Sequence, residues 1–132
     1  MLEKYPQQVK LVFKNYPLRS HTFARKAAAA ALAAPAQGRF WDFHDALFAS
    51  YNKLNDASVE EIRVRLELDK SAFDAQREAS QVMDQIKRDV ALAREAGVRG
   101  TPSVFINGRL QRSRSLKSFS AAVEAELRRL GK

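Results

Sequence analysis

The sequence lacks cysteine, has only five glycines and four prolines among 132 residues, and contains no long apolar run. Without cysteine, these residues cannot supply disulfide bonds, thiol nucleophiles or thiolate metal sites. No apolar segment reaches the length of a membrane-spanning helix, and the first residues show no signal-peptide pattern. The two histidines, His21 and His44, lie far apart and lack the spacing typical of zinc or iron sites. We therefore expect no metal, no cofactor and no membrane partner.

What the sequence does contain is typical of a single globular domain, which we expect to span residues 1–132. Hydrophobic residues make up 45% of the chain and charged residues 29%, and the length is sufficient to bury a core. Lysine and arginine outnumber aspartate and glutamate by 23 to 15, but the excess is spread along the chain. Such spacing favours a solvated basic surface over a dedicated site for anionic partners.

Residues 59–73 provide the best case for nucleic-acid binding, because they have a loose helix-turn-helix rhythm. Many helical pairs share this rhythm, so it discriminates poorly. Glu60, Glu61 and Glu67 would also place negative charge where a DNA-facing surface needs neutral or positive side chains. The sequence therefore argues against a nucleic-acid partner.

The first half of the chain predicts one strand followed by two helices. Val9 to Lys14 is rich in β-branched and aromatic residues and is apolar on both faces, which is typical of a strand inside a sheet. Ser20 is expected to cap a helix that ends near Ala34, and a second helix is expected from Arg39 to about Tyr51. We interpret His44 in that helix as a packing residue. The aromatic core is expected to include Phe40, Trp41, Phe43, Leu47 and Phe48.

The second half predicts two further helices, a hairpin and a last helix. A capping box of Ser58 and Glu61 predicts a helix from Val59 to Leu68. Asp69 is expected to cap a long helix from about Lys70 to Ala96, because its apolar residues recur at helical spacing. These buried positions are expected to be Phe73, Val82, Met83, Ile86, Val90 and Ala93. After the hairpin, Ser115 or Ser118 should cap a final helix that ends at Leu130.

The most informative stretch of the sequence runs from Gly97 to Gly108. Gly97 suits the end of a helix, and Ser103 to Ile106 is rich in strand-forming residues. Asn107-Gly108 is the strongest short hairpin signal, so the return strand should begin at Arg109. Pro102 must be the first residue of its strand, because it has no N–H to donate. Spacing alone is equally consistent with an ordinary hairpin that has no function.

Val98 to Arg109 resembles the cis-proline segment of DsbA-like, thioredoxin-fold disulfide oxidoreductases. Residues 14–21 and 37–48 resemble two further segments of that family, in the same order. The resemblance implies an α/β fold: a truncated thioredoxin-like fold with a four-helix insertion at about 19–96 and a small sheet of about three strands. It also implies that the Thr101–Pro102 bond is cis and that these two residues form a wall facing the family's cysteine pair. Val98 and Gly100 would shape the approach, and Arg99 would add positive potential.

The sequence departs from this family where the chemistry should lie. The family's first strand and helix, which carry Cys-x-x-Cys, have no counterpart here, so we expect the chain to be inactive in thiol:disulfide interchange as given. The alternative is a non-enzymatic thioredoxin-like module that self-associates or binds peptides. A full-length relative would be expected in the periplasm or another extracytoplasmic compartment, with a protein or peptide substrate.

The missing strand would lie between Val9 to Lys14 and Ser103 to Ile106 in the family's sheet. Its absence leaves two strand edges without partners, and exposed edges favour pairing with another chain. We therefore expect a homodimer or a higher oligomer. The rival expectation is that the two strands pair directly within one chain.

Overall fold

A computed structural model describes residues 1–132, with every side chain except that of Ala36. The chain divides into two compact units. We call Lys14–Gly97 the helical unit. The second unit combines Met1–Phe13 with Val98–Lys132, and we call it the hairpin unit.

Helices and two short strands make up the described regular structure. The helical unit contains a short 3-10 turn at Pro35–Gln37 and five helices: α1 Ala24–Ala33, α2 Phe40–Ala49, α3 Asp56–Arg65, α4 Lys70–Arg77 and α5 Ser80–Glu95. The hairpin unit contains β1 Phe105–Ile106, β2 Arg109–Leu110 and α6 Leu116–Arg129. None of the helices in the described part of the chain combines the length and apolar character needed to cross a bilayer.

The core of the helical unit is built around α1. Its alanines are small enough to let α2, α4 and α5 approach closely, and they keep a strong helix propensity. Phe43 of α2 and Phe73 of α4 are fully buried, and their ring centroids stack 5.4 Å apart. A second cluster joins Ala29 of α1 to Val82 and Ile86 of α5. The helical unit therefore buries two apolar clusters of its own.

The predicted long helix from Lys70 to Ala96 is wrong, because the chain forms two helices there. Ala79 adopts an extended conformation, with φ −65° and ψ 142°, and separates α4 from α5. The two halves bury their apolar residues in different clusters: Phe73 packs with Phe43, whereas Val82 and Ile86 pack with Ala29. One straight helix would have to present all these residues along a single stripe. The insertion consequently has five helices, not four.

Two predicted helix starts are also shifted. The helix α1 begins at Ala24, and its N-cap residue is Phe23 instead of Ser20. The capping box of α3 is formed by Asn55 and Ser58: Ser58 N donates to Asn55 Oδ1 at 2.8 Å and Asn55 N donates to Ser58 Oγ at 2.9 Å. Asn55 is as good an N-cap as serine, so the reciprocal pair forms three residues earlier than predicted.

Part of the predicted aromatic core is at the surface. Phe43 and Leu47 are buried, but Trp41 is 43% and Phe48 is 61% exposed. These two residues lie with His44 along one exposed stripe of α2, and the ring centroids of His44 and Phe48 are 4.7 Å apart. A ten-residue helix buries only one face, so five large apolar residues cannot all reach the same core.

The predicted strand at Val9 to Lys14 is not formed, and the sheet has two strands where about three were expected. Strand-forming residues need a neighbouring strand to form a ladder with, and the described sheet pairs only β1 with β2. Leu11 and Val12 are 56% and 57% exposed. The direct pairing of the two orphan segments within one chain is therefore also absent from the described structure.

The hairpin and the last helix agree with the sequence prediction. β1 and β2 are antiparallel, with Phe105 opposite Leu110 and Ile106 opposite Arg109. Asn107 and Gly108 both have positive φ, 46° and 80°, as the tightest hairpin turn requires. Ser115 caps α6 by accepting from Ser118 N at 3.1 Å. β1 is shorter than the predicted strand from Ser103 to Ile106.

Candidate functional site

The residues singled out from the sequence occupy one loop, residues 98–102, immediately before the hairpin. Arg99, Thr101 and Pro102 are exposed, whereas Val98 and Gly100 are partly buried. The Thr101–Pro102 peptide bond is cis, the isomer that the resemblance implies. The structure thus places all five candidate residues in one loop of the hairpin unit.

Two side chains hold this loop in place. Ser103 Oγ donates to the Gly100 carbonyl at 2.7 Å, which closes the turn around Thr101 and Pro102. Arg114 Nη1 donates to the Pro102 carbonyl at 3.0 Å and ties the loop to the chain that follows β2. The backbone of Gln111 adds a bond to Val104 at 2.8 Å. The loop is therefore fixed on both sides of the proline.

Thr101 and Arg99 keep their hydrogen-bonding groups available. In the described structure, neither the backbone nor the side chain of Thr101 makes a hydrogen bond, and the Arg99 guanidinium has no ion-pair partner. The ring of Pro102 adds an exposed apolar surface next to these groups. This arrangement can accept an extended peptide, because a peptide backbone needs one donor and one acceptor at each contact.

A buried carboxylate anchors the hairpin turn to α6. Glu126 is 8% exposed and accepts from Arg129 Nη2 at 2.8 Å and from Asn107 Nδ2 at 3.2 Å, with Arg109 Nη1 at 3.6 Å. The Arg129 hydrogen bond, followed by that of Asn107, lowers the pKa of Glu126 below its ordinary value. The carboxylate is therefore ionised at neutral pH and holds the turn in position.

A second carboxylate ties the first residues of the chain to α6. Glu124 Oε1 accepts from Tyr5 Oη at 2.6 Å and from Lys4 Nζ at 3.0 Å. The Tyr5 hydrogen bond, together with that of Lys4, lowers the pKa of Glu124. Tyr5 and Val123 are the buried apolar residues described in this unit. The hairpin unit is thus held largely by polar contacts.

The loop has no group that could carry out thiol or metal chemistry on a partner. The sequence contains no thiol, and the described residues include no group of three or more histidine and acidic side chains placed to hold a metal. His44 belongs to the helical unit, where its ring lies among the aromatics of α2 and its Nδ1 is 3.0 Å from Asp45 Oδ1. It is no part of this site.

Sequence reasoning missed Ser103 and Arg114 as supports of the loop. The residues that follow Ser103 predict a strand there, although serine is also typical of turns. Arg114 lies twelve positions after Pro102, in a segment without a periodic pattern. The path of such a segment depends on tertiary contacts, and no local signal would have identified this arginine.

Comparison with known proteins identifies the family to which this architecture corresponds. Residues 1–125 match the sequence profile of the family described as Thioredoxin. Among solved structures, a thioredoxin-like oxidoreductase from Silicibacter pomeroyi DSS-3 superposes with a TM-score of 0.84 and 30% identity, over 97% of this chain and 73% of that one. These matches confirm the predicted thioredoxin-like α/β fold class.

The curated relatives carry a different name. The chain is 37% identical over 117 residues to the Na(+)/H(+) antiporter NhaA 3 of Salinispora tropica, covering 87% of this chain and 18% of that protein. It is 35% identical over 107 residues to the Na(+)/H(+) antiporter NhaA of Nitrosospira multiformis, covering 80% of this chain and 17% of that protein. The chain therefore spans about a fifth of the length of these curated relatives.

Proposed function

The chain belongs to the thioredoxin family, and on that premise we propose that it is part of a DsbA-like thiol:disulfide interchange domain. In this proposal, residues 98–102 are a wall that binds substrate peptides, and the reacting thiols come from outside these 132 residues. The observation that carries it is the unused hydrogen-bonding capacity of Thr101 beside the exposed ring of Pro102. The likeness to a solved thioredoxin-like oxidoreductase supports the redox setting.

The wall would act by holding a substrate next to a thiolate. An extended peptide forms backbone hydrogen bonds with Thr101, while Pro102 gives an apolar contact. The charge of Arg99 favours a thiolate over a thiol near it, because a cation lowers a cysteine's pKa. Disulfide exchange itself needs a thiolate that attacks sulfur. Since these residues contain none, the chain by itself performs no exchange.

Two measurements test this function. In an insulin reduction assay with dithiothreitol, we expect the pure chain to leave the uncatalysed rate unchanged, and turnover proportional to its concentration would contradict the proposal. In an NMR titration with an extended, cysteine-free peptide, we expect the amide signal of Thr101 to shift and that of Thr22, in the helical unit, to stay in place. Chemical-shift changes that do not include the amides of residues 98–102 would overturn the proposal that this loop binds peptides.

A pair of arginine variants sharpens the titration. Arg114→Gln removes the bond to the Pro102 carbonyl and should weaken peptide binding, because the wall is then held on one side only. Arg112→Gln removes the same charge two residues earlier from a side chain without a partner among the described contacts. We expect this control to bind the peptide like the wild type. Equal losses in both variants would indicate a general charge effect instead of a wall.

A second candidate function is self-association, and the segment before the helical unit favours it. The backbone N–H groups of Lys10, Leu11 and Val12 make no hydrogen bond in the described structure, and Leu11 and Val12 are more than half exposed. A strand from a second copy could pair with this segment and cover its side chains, as edge strands commonly do. In this proposal the chain is a dimer or a higher oligomer.

Light scattering with two variants of Val12 tests self-association. Val12→Pro removes the backbone donor and should give a monomer, whereas Val12→Thr keeps the donor and a β-branched side chain and should still associate. Circular dichroism checks that both variants remain folded. A wild-type protein that stays monomeric at high micromolar concentration would overturn the proposal.

The curated relatives suggest a third element of context. Because the chain matches part of proteins named Na(+)/H(+) antiporters, we propose that it works as a thioredoxin-like domain joined to an ion transporter. The DNA sequence that flanks this coding segment tests both the redox proposal and the transporter proposal. An in-frame Cys-x-x-Cys segment would support the redox domain, and in-frame membrane-spanning segments would support the transporter. The absence of either would contradict the corresponding proposal.

A further inference from the structure

A groove on the helical unit combines an apolar floor with a basic rim. It has a volume of about 420 Å³ and lies between residues 16–19, the start of α1 and one side of α5. Ile86 is fully buried at the floor, and Val90, one turn further along α5, is partly buried. Such a volume and apolar lining are typical of ligand sites.

Four exposed cations surround this groove, and no acidic residue lines it. They are Arg19, Arg25, Lys87 and Arg94. In the part of the chain that the structure describes, none of the four side chains makes an ion pair or a hydrogen bond, although many other basic side chains do. Like charges that lie close together repel one another, so an anion bound in the groove would reduce the repulsion among these four cations.

A buried anchor fixes one wall of the groove. Asp89 is 2% exposed and accepts from Asn15 N at 2.9 Å, Asn15 Nδ2 at 2.8 Å and Gln85 Nε2 at 2.8 Å, with Lys14 Nζ at 3.8 Å. These bonds hold Tyr16, which lines the groove, against α5. Lys14 offsets the charge of Asp89, so the four cations of the rim keep an excess of positive charge at the groove. The groove is therefore both rigid and electropositive.

We infer that this groove binds a peptide segment that carries both acidic and apolar side chains. Lys87 and Arg94 lie two helical turns apart, about 10 Å along α5, which suits carboxylates spaced along an extended peptide. An apolar side chain between those carboxylates would rest on Val90, which is partly exposed above the buried Ile86. A flat bilayer surface cannot reach a recessed floor, and the described lining offers only Tyr16 as a ring for stacking nucleic-acid bases. This proposal is independent of the peptide-binding wall proposed for residues 98–102.

Fluorescence anisotropy with a labelled peptide of alternating glutamate and leucine tests the inference on the full chain. We expect saturable binding that weakens with salt. Two control peptides, with glutamine in place of glutamate or serine in place of leucine, should each bind less tightly. A glutamine peptide that binds equally well would overturn the role of the cations. Failure of the glutamate–leucine peptide to bind would overturn the site itself.

Matched charge variants on α5 locate the binding. Lys87→Gln and Arg94→Gln should each lower the affinity for the peptide by about two- to fivefold at low salt, as expected for partly exposed ion pairs. Arg88→Gln removes the same charge from the neighbouring position, where Arg88 already contacts Gln85 Oε1 at 3.0 Å and does not line the groove. This control should bind like the wild type. An equal loss of peptide affinity in Arg88→Gln would overturn the proposal. It would also be overturned if phosphatidylglycerol vesicles or RNA bound more tightly than the peptide and lost affinity in the same variants.

Discussion

The helical unit and the hairpin unit differ in what holds them together. Apart from Tyr5 and Val123, the described buried apolar side chains all belong to the helical unit, where they form two packed clusters. The hairpin unit relies on Glu124 and Glu126, whose hydrogen bonds tie other segments to α6. Burial of apolar surface dominates the free energy of folding, whereas ion pairs with exposed partners, such as those of Glu126 with Arg109 and Arg129, contribute little. The helical unit therefore supplies most of the stability.

The same comparison indicates where we expect each proposed partner to bind. A unit with a full core presents a fixed surface, such as the groove beside α5. The hairpin unit instead keeps backbone groups without partners at residues 10–12 and at Thr101. Unpaired backbone groups next to exposed apolar side chains are the features that recruit an additional strand. We therefore expect the hairpin unit to be completed by another polypeptide.

Phe73→Ala should have the largest effect, because it removes a fully buried ring that stacks on Phe43 in the helical unit. We expect a loss of about 3–5 kcal/mol in the free energy of unfolding, measured by urea denaturation. Phe48→Ala deletes the same atoms from a ring that is 61% exposed and should cost less than about 1 kcal/mol. Similar costs for both variants would contradict the proposed core.

Asp89→Ala should follow, with a loss of about 2–4 kcal/mol. It leaves the backbone N–H and the side-chain amide of Asn15 without their acceptor, and each buried unpaired group costs about 1–3 kcal/mol. Asp84→Ala, at an exposed position of the same helix, is the control and should be nearly neutral. If the two variants unfold at the same urea concentration, Asp89 is not the anchor described above.

Gly108→Ala tests the hairpin unit with a smaller expected change. Gly108 has φ 80°, and a side chain in that left-handed conformation costs about 1–2 kcal/mol. Gly100→Ala is the matched control, because Gly100 has no positive φ and an added Cβ would meet no atom within 4 Å. We expect Gly108→Ala to lower the thermal midpoint more than Gly100→Ala does. The reverse order would show that the turn is not as described.

Glu126→Gln should give the smallest effect, and one that depends on pH. The pKa of Glu126 is lowered on folding by Arg129 and Asn107, so its stabilising effect is present above the unfolded pKa of about 4.3 and is lost as the pH falls through the lower folded value. The variant should melt below the wild type at pH 7, and the two should converge in acid. Glu3→Gln is the exposed control. A difference that grows in acid would contradict this sign.

Much of the fold is encoded locally and could be predicted. The Asn107-Gly108 turn and the cap at Ser115 are short-range signals, and both appear in the structure. The break at Ala79 could not be predicted, because it results from the packing of α4 and α5 in different clusters. Residues 9–14 have strand-forming side chains, yet a strand also needs a partner that the described chain does not provide.

The candidate site was predictable only in part. Thr101 and Pro102 were identified through the motif that surrounds them, and the structure places them together with Val98, Arg99 and Gly100 on one loop. The groove beside α5 could not be found from the sequence. Its cations are spread over the chain from position 19 to position 94, and only the folding of α1 against α5 brings them to one surface.

Amide hydrogen exchange, measured by NMR over a range of protein concentrations, tests the central difference between the two units most directly. We predict that the amides of Phe43 and Ile86 exchange slowly at every concentration, because the helical unit forms its buried core within a single chain. The amides of Leu11 and Val12 should exchange rapidly in dilute protein and become protected as the concentration rises and another copy supplies a strand. Protection of Leu11 and Val12 in dilute monomeric protein, or rapid exchange at all concentrations, would contradict the account.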